Sequence, residues 1–334
     1  MHRAPVLVRG SGLASACALH LLRAQGMEAL VQPSQRMPVP VVMLSDAALG
    51  LLRDVFGRPD LLDGAHRITQ RHVRWGADTA SMAHGGVVVS EAELLGALDQ
   101  GSPARATGKE VLLATLHGTG PFPSAPMLHF GQRRTLAVPV ELTPDAAQDA
   151  CYVEAVEEGW LFLIPKGETA WLLAVGAEVE PLLADSRLIA PLLTHVGGAS
   201  AAFDTAPRQL PQLAGEDWLA LGTAALGFDP ICGDGSAQAV REAILAVAVI
   251  AAIAKGGDRA ALTNHYHAML TAALRRHIQI SGQFYASGGN GPWWQRQMAD
   301  LAEGYRWTTA QLAQQCEPRY VLRGFELVEK EMAL

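Results

Sequence analysis

The feature that most constrains the fold is a glycine-containing turn near the start of the chain. A short apolar run at residues 5–8 leads into Gly10-x-Gly12-x-x-Ser15, and an Ala/Leu-rich stretch with helical periodicity follows at residues 13–25. A strand, a tight turn and a helix in this order predict a βαβ unit whose helix N-terminus holds a pyrophosphate. We therefore predict a dinucleotide site that takes its residues from this turn and from the end of the next strand: Gly10, Ser11, Gly12, Leu13, Ala14, Ser15 and Gln32.

Composition places the chain among folded proteins of enzyme size. Apolar residues make up 49% of the 334 residues and charged residues 18%, so a large core can be buried and about two domains are expected. The net charge is −7 with no basic block, which argues against nucleic acid as a partner. The longest apolar stretch, residues 243–254, is too short for a membrane span and predicts a buried helix.

The cysteines, histidines and N-terminus bear on metal binding and on the cellular compartment. The cysteines lie far apart without a CxxC pair, which argues against a disulfide framework and a zinc site: Cys17, Cys151, Cys232 and Cys316. The spacing of the C-terminal histidines does not form a ligand set on one helix face: His265, His267 and His277. The first apolar run is too short for a signal peptide. We expect a cytoplasmic protein without a metal.

Two further patterns follow the N-terminal unit. From residue 121 to 210, alternating apolar runs separated by Pro and Gly predict an antiparallel sheet. The tail, residues 259–334, is predicted to be mostly helical, with a break near residues 287–292. Shorter elements are predicted as follows: a helix at residues 45–56 with Ser45 as N-cap, a helix at 91–98, and strands at 71–75, 87–89 and 218–221.

A second glycine-rich turn, residues 221–236, precedes a long Ala-rich helix predicted from Ser236 to Lys255. Gly233 and Gly235 open the backbone at the helix start, so a planar anionic ring can lie against unpaired amide groups there. The residues predicted to bind a cofactor at this turn are Gly222, Thr223, Asp229, Pro230, Gly233, Asp234, Gly235 and Ser236. Cys232 is predicted to be an inert thiol, because no neighbouring group lowers its pKa.

At this turn the chain resembles the superfamily of FAD-dependent monooxygenases and flavin-dependent halogenases, which share the p-hydroxybenzoate hydroxylase-like fold. Asp229-Pro230-x-Cys232-Gly233-Asp234-Gly235 is nearest to a halogenase-like branch that includes flavoproteins hydroxylating peptidyl tryptophan during the maturation of quinone cofactors. Further segments fit the same branch, so that the resemblance spans most of residues 5–255: residues 51–57, 73–76, 130–134 and 159–165.

The resemblance implies an α/β fold with a discontinuous Rossmann-like FAD-binding domain, residues 1–120 and 211–258. An inserted antiparallel β-sheet substrate domain, residues 121–210, and a helical C-terminal cap, residues 259–334, complete it. The implied cofactor is FAD, and the implied reaction is hydroxylation of an aromatic substrate, for example peptidyl tryptophan, through a flavin C4a-hydroperoxide. Electrons would come from NAD(P)H or from a partner reductase, because no separate NAD(P)H domain is visible in the sequence.

Halogenation is the alternative enzyme activity. The strand at residues 159–165 resembles the halogenase pattern Trp-x-Trp-x-Ile-Pro, with Phe162 in place of the second Trp. The candidate catalytic residues are Trp160, Phe162 and Lys166, although the aromatic rings suit a core strand equally well and Lys166 suits a solvated turn. Halogenating relatives carry a lysine in the N-terminal part, whereas the first lysine here is Lys109. Hydroxylation is therefore favoured.

A flavin-fold protein without catalysis, acting as a binding or maturation partner, is the second alternative. Gln32 replaces the acidic residue that holds the ribose hydroxyls, and Thr223 stands where the family has an Asp for a ribityl hydroxyl. Glu91, after Ser90, stands where many relatives place an Arg, and residues 98–111 are too few for the usual β-meander. These departures predict weakened FAD binding.

Overall fold

A computed structural model describes residues 4–98, 101, 104–108, 110–119, 126–315 and 319–330 of the chain. Its helices are α1 (Leu13–Ala24), α2 (Asp46–Phe56), α3 (Glu91–Leu98), α4 (Val179–Asp185), α5 (Gly235–Ala254), α6 (Arg259–Gly288) and α7 (Pro292–Ala313). Its strands are β1 (Val6–Arg9), β2 (Ala29–Gln32), β3 (Val42–Ser45), β4 (His66–Trp75), β5 (Asp78–Val89), β6 (Ala104–Arg105), β7 (Ala114–His117), β8 (Leu128–His129), β9 (Arg134–Leu142), β10 (Ala150–Val156), β11 (Gly159–Lys166), β12 (Thr169–Gly176), β13 (Leu193–Val196), β14 (Ala201–Asp204), β15 (Arg208–Gln209), β16 (Trp218–Ala220), β17 (Leu226–Gly227), β18 (Tyr320–Arg323) and β19 (Glu326–Glu329).

A parallel sheet of the order β16-β7-β1-β2-β6 forms the nucleotide-type layer. Its central strand β1 is apolar and buried over Val6, Leu7 and Val8, as expected for a parallel strand covered by helices. Helix α1 leaves the carboxyl end of β1 and packs against α5, so the two glycine-containing turns of the sequence meet in one layer. The predicted Rossmann-like α/β fold is confirmed.

A nine-stranded sheet forms the second layer, in the order β13-β9-β12-β11-β10-β4-β5-β3 with β14 also paired to β9. Its pairings are antiparallel except for the parallel pair β10 and β4. Strands β9 to β14 come from the segment predicted to be an antiparallel sheet, whereas β3, β4 and β5 come from the N-terminal segment. The sheet therefore joins two parts of the chain. A small sheet, β17-β15-β8, lies beside the second glycine-rich turn.

Local sequence explains the ends of several helices. Ser45 caps α2 as predicted, because its side chain accepts the Ala48 N–H at 3.2 Å, and Gly57 ends that helix with φ 61°. Helix α5 has the length and apolar composition of a membrane span, but 72% of this stretch is buried inside the protein. It packs against α1, α2 and α6, so it is the core helix that its composition predicts.

The sequence patterns predicted one hairpin too short and missed a second one. Strands β4 and β5 extend well beyond the predicted residues 71–75 and 87–89. The sequence did not reveal the extension of β5, because residues 78–83 are exposed and carry no apolar alternation. The tail, predicted to be mostly helical, ends in the hairpin β18–β19 around Gly324, whose φ is 60°. Short apolar runs on both sides of a glycine are the signal that the helical prediction missed.

Candidate functional site

A cavity of about 470 Å³ lies where the two glycine-containing turns meet the large sheet. The first wall is the turn at residues 11–14 together with the loop after β2. The second wall is formed by parts of residues 222–242, and the third by side chains of the large sheet. The volume is within the range of small-molecule sites.

The first turn ends in an open helix N-terminus. Gly10 (φ 109°) and Gly12 (φ 105°) adopt a conformation that other residues rarely adopt, and a Cβ on Gly10 would lie 2.5 Å from Thr119 Oγ1. Within the part of the chain that the structure describes, no side chain caps α1, and the first turn of this helix contains no acidic residue. The amide groups at this end are therefore available to an anion, which the helix dipole also favours.

An arginine stands beside this N-terminus. A Cβ on Gly12 would lie 2.6 Å from Arg36 Nη2, so the guanidinium lies next to the turn. Arg36 forms a salt bridge with Glu91, whose other carboxylate oxygen accepts the Val39 N–H at 2.8 Å. Glu91 thereby holds the loop after β2 at the cavity. Guanidinium groups pair well with phosphate, so Arg36 is placed to bind an anion at α1.

The second turn also ends in an open helix N-terminus. Asp229 caps a short 3-10 turn, Pro230–Cys232, by accepting the Ile231 N–H at 2.9 Å, and Gly233 follows with φ 63°. Helix α5 then begins at Gly235 without a side-chain cap and without an acidic residue in its first turn. No atom of the described residues lies within 4 Å of a Cβ built on Gly233 or Gly235, so a ligand can reach this backbone closely.

Asp229 belongs to a buried polar network behind this turn. Its carboxylate accepts hydrogen bonds from Arg133 Nη1 and, at 2.8 Å, from the Tyr285 hydroxyl, which in turn accepts the Trp160 indole N–H at 3.0 Å. His277 Nε2 accepts the Asp229 N–H at 2.8 Å, and burial lowers the pKa of His277 to about 4, so the imidazole stays neutral. The network ties the turn to α6 and to β11.

Side chains on one face of strand β11 lie in three different environments. Phe162 and Ile164 line the cavity, whereas Trp160, on the same face by the two-residue period, is buried against Tyr285. Lys166, at the other end, donates to Glu93 at 2.7 Å, and this hydrogen bond, with those from Ser90, lowers the pKa of Glu93 to about 2. Other apolar residues complete the wall, which suits an aromatic ring: Ala137, Leu173 and Phe203.

The structure brings most of the sequence-predicted cofactor residues to this one cavity. Those that line it are Ser11, Gly12, Leu13, Ala14, Gly222, Thr223, Asp229, Pro230, Gly233, Gly235 and Ser236. The others lie outside the lining. Gly10 packs against Thr119, and Ser15 packs against Gly118. Gln32 accepts a hydrogen bond from Arg9 Nε at 2.7 Å, and Asp234 forms a salt bridge with Arg241. Of the catalytic candidates, Phe162 lines the cavity, and Trp160 and Lys166 do not.

Sequence reasoning missed five charged side chains at the cavity: Arg36, Glu91 as the partner of Arg36, Asp204, Arg208 and Glu242. The partnership of Tyr285 and Arg133 with Asp229 was also not predicted, and the Arg133 side chain is fully buried. Arg36 lies in an irregular loop without a motif, and Glu242 lies inside an apolar helix. A lone acid in an otherwise apolar stretch was the available signal for Glu242.

The described residues do not support a metal site or a reactive thiol. They contain no group of His, Cys, Asp and Glu arranged to hold a metal ion. Cys17 and Cys151 are buried free thiols, and burial raises the pKa of Cys232 to about 12, which agrees with the prediction of an inert thiol. Cys316 and Lys109 lie outside the described residues.

The cavity fits a dinucleotide-linked flavin by its chemistry. Two helix N-termini without a side-chain cap among the described residues, at Gly12 and Gly235, supply amide groups for a pyrophosphate and for the edge of a flavin ring that takes up negative charge when reduced. Arg36 adds a cation at the first of them, and an apolar wall lies opposite for a ring. FAD has a pyrophosphate, a linking chain and a flavin ring that suit these features in turn.

Comparison with known proteins gives the fold. Neither a protein-family model nor a curated protein matches the sequence. Among solved structures, the chain is similar to the peptidyl tryptophan dihydroxylase QhpG, essential for tryptophylquinone cofactor biogenesis, with TM-score 0.72, 18% identity and coverage of 98% of this chain and 86% of QhpG. It is similar to the flavin-dependent halogenase CmlS, with TM-score 0.76, 15% identity and coverage of 94% and 72%.

A third similar structure is pqsL, a probable FAD-dependent monooxygenase from Pseudomonas aeruginosa, with TM-score 0.66, 14% identity and coverage of 90% of this chain and 99% of pqsL. All three similarities extend over most of both chains, which excludes a match of the nucleotide-type layer alone. The resemblance seen at the second turn is thus confirmed for the whole architecture: this chain has the fold of the FAD-dependent monooxygenases and flavin-dependent halogenases.

Proposed function

We propose that this protein is an FAD-dependent monooxygenase that hydroxylates an aromatic substrate. The observation that carries the proposal is the pair of open helix N-termini, at Gly12 and Gly235, that face one cavity with an apolar wall. Similarity to a peptidyl tryptophan dihydroxylase supports an aromatic substrate, with peptidyl tryptophan as one member of that class. Electrons would come from NAD(P)H or from a partner reductase.

Each wall has a separate role in this proposal. The amide groups at Gly12 and the guanidinium of Arg36 bind the pyrophosphate, and the backbone at Gly233 and Gly235 lies against the flavin ring. The bound flavin supplies the activation of O2. Phe162 and its apolar neighbours position the substrate ring and exclude water, while Asp229 fixes the turn that holds the flavin ring.

Halogenation is the second candidate, because the halogenase CmlS shares the fold. Halogenation needs a lysine ammonium near the reacting ring. Among the described residues no lysine lines the cavity, and Lys166, the lysine nearest the aromatic strand, is paired with Glu93 at 2.7 Å. Hydroxylation needs only a correctly placed flavin and substrate, so it is the function that we propose.

The first experiment asks whether the protein binds FAD. A visible spectrum of the purified protein, before and after incubation with FAD and gel filtration, should show the bands of oxidised flavin. Their absence after incubation would favour the non-catalytic alternative, in which the flavin fold serves only as a binding or maturation partner.

The second experiment identifies the reaction. The holoprotein is given reduced flavin, O2 and bromide, together with free indoles and tryptophan-containing peptides as acceptors. Mass spectrometry should show products that gain oxygen. A bromine isotope pattern that disappears in Lys166→Ala would instead establish the halogenase activity.

A further inference from the structure

Glu242 is a buried carboxyl in the cavity wall that no cation neutralises within the described part of the chain. Its residue is 3% exposed, and it lines the cavity from the inner face of α5. One oxygen accepts the Gly222 N–H at 2.6 Å, and the other accepts from Gln238 Nε2 at 3.1 Å. Burying a carboxyl inside an apolar helix without a cation as partner costs free energy of folding.

The surrounding groups leave Glu242 close to half-ionised at neutral pH. Burial raises its pKa to about 7, against the opposing hydrogen bonds from Gln238 and Gly222. Tyr266, on α6, is also buried, with a pKa well above its usual value, and its hydroxyl donates to Ala220 O at 2.6 Å. It is neutral and does not donate to Glu242.

The other charged side chains of the cavity already have partners. Arg36 pairs with Glu91, and Asp229 pairs with Arg133. The remaining two are also engaged: Asp204 accepts from His129 Nδ1 at 2.8 Å, and Arg208 donates to the Asp204 carbonyl at 2.9 Å. Glu242 is the carboxyl that is left for the ligand.

The position of Glu242 in the cavity indicates which part of the ligand it contacts. Gly222, which it holds, packs close to the start of α1, since a Cβ on Gly222 would lie 2.9 Å from Ala14 Cβ. Glu242 itself lies about two turns into α5 from its open N-terminus at Gly235. The carboxyl thus stands between the two anion-binding helix ends. A ligand that reaches from one helix end to the other presents its linking part here.

We propose that Glu242, as the neutral acid, donates a hydrogen bond to a hydroxyl of the chain that links the two ends of the ligand. This inference rests on the proposed function, in which the ligand is FAD and the chain is ribityl. In the neutral acid one oxygen still accepts the Gly222 N–H, and the O–H is left to donate into the cavity. An anionic ligand that displaces water favours this neutral form over the carboxylate.

The proposal predicts that FAD binding depends on pH in one direction. If only the neutral acid binds, the affinity for FAD is about tenfold lower at pH 8 than at pH 6, for a group that titrates near pH 7. His277 and His117, whose pKa values burial lowers to about 4, stay neutral throughout this range and contribute no slope.

The test is calorimetric titration of the full-length protein with FAD between pH 6 and pH 8. Glu242→Gln keeps an oxygen for the Gly222 N–H and an N–H for the ligand, so its affinity should be flat with pH and close to that of wild type at pH 6. Glu326→Gln is the matched control, because it makes the same change at an exposed acid that pairs with Lys255 after the end of α5, outside the cavity lining. It should keep the wild-type slope.

Two further measurements make the result independent of any variant. At pH 7, titrations in buffers of different ionisation enthalpy should show uptake of about half a proton per FAD bound. Riboflavin should reproduce the pH dependence, and lumiflavin, which lacks the hydroxyl chain, should not. A flat wild-type profile, an unchanged slope in Glu242→Gln, or an equal slope with lumiflavin overturns the proposal. Wild-type protein that binds no flavin at all overturns the proposed function as well.

Discussion

The two helix N-termini that face the cavity are held in different ways. At α1, the turn is held mostly by contacts with backbone atoms, because Gly10 packs against Gly118 and Thr119 and the Ser11 hydroxyl donates to Ser34 O at 2.9 Å. At α5, the turn is fixed by side chains distant in the sequence, since Asp229 is bonded to Arg133 and Tyr285, which are 96 and 56 residues away.

Because of this difference, substitutions at the two turns are expected to affect ligand binding and folding to different extents. A change at the α1 turn acts mainly on the ligand, because the surrounding strands and helix form without the residues that face the cavity. A change at the α5 turn acts on the packing of α6 and β11 as well, because Asp229 bonds to Tyr285 and His277 of α6, and Tyr285 in turn bonds to Trp160 of β11. A substitution that removes a ligand contact is therefore expected to lower the free energy of unfolding more at α5 than at α1.

The largest effect is expected from Asp229→Asn. The substitution leaves the buried Arg133 guanidinium without its counter-charge, and breaking such a pair costs about 3–5 kcal/mol in the free energy of unfolding. Urea unfolding followed by circular dichroism measures this. Glu178→Gln, which breaks the exposed pair of the neighbouring Arg134, is the matched control and should leave the midpoint nearly unchanged. Equal midpoints for the two variants would contradict the central place of Asp229.

The same contrast explains how much could be predicted from the sequence. The glycines of the α1 turn, the helix after them and the Ser45 cap of α2 leave local sequence patterns, so these patterns located the elements within a residue or two. Asp229 and the glycines around it were found through the motif, but Arg133, Tyr285 and His277 gave no local signal of their partnership. Long-range packing decides such contacts, and a single sequence does not record it.

The opposite behaviour is expected at the α1 turn. Gly12→Val places a branched side chain against Arg36 at a position with φ 105°, so it blocks the space for a phosphate. We expect a loss of FAD affinity of about a hundredfold or more, with unfolding still cooperative. Gly26→Val, at φ 68° with open space around it, imposes the same kind of backbone strain away from the cavity. Flavin retained by Gly12→Val as well as by Gly26→Val would show that the pyrophosphate lies elsewhere.

A smaller effect distinguishes the two partners of the salt bridge at α1. Arg36→Ala removes the cation beside Gly12, and we expect FAD affinity to fall about tenfold at low salt. Glu91→Gln keeps an acceptor for the Val39 N–H but frees the guanidinium from its carboxylate, so affinity should rise. Equilibrium titration with FAD at two salt concentrations measures both changes. A fall in affinity for both variants would mean that the pair only holds the loop after β2.

The smallest effect is expected from Thr223→Asp, at the start of the second glycine-rich turn. Thr223 lines the cavity beside Gly222, and a hydroxyl makes a neutral hydrogen bond to a ligand hydroxyl, worth roughly 0.5–1.5 kcal/mol, where a carboxylate makes one of about 1.5–3 kcal/mol. We therefore expect FAD to bind several-fold more tightly, by about 1 kcal/mol.

The new carboxylate would also lie near Glu242, which holds Gly222 at 2.6 Å, and a like charge raises the pKa of that acid further. Glu242 then stays neutral to higher pH, so the gain in affinity should be larger at pH 8 than at pH 6. Calorimetry at both values measures this difference, with Thr223→Asn as the uncharged control. A gain that is the same at both values would place Thr223 and Glu242 on separate parts of the ligand. An unchanged or weaker affinity would mean that Thr223 does not face the ribityl chain.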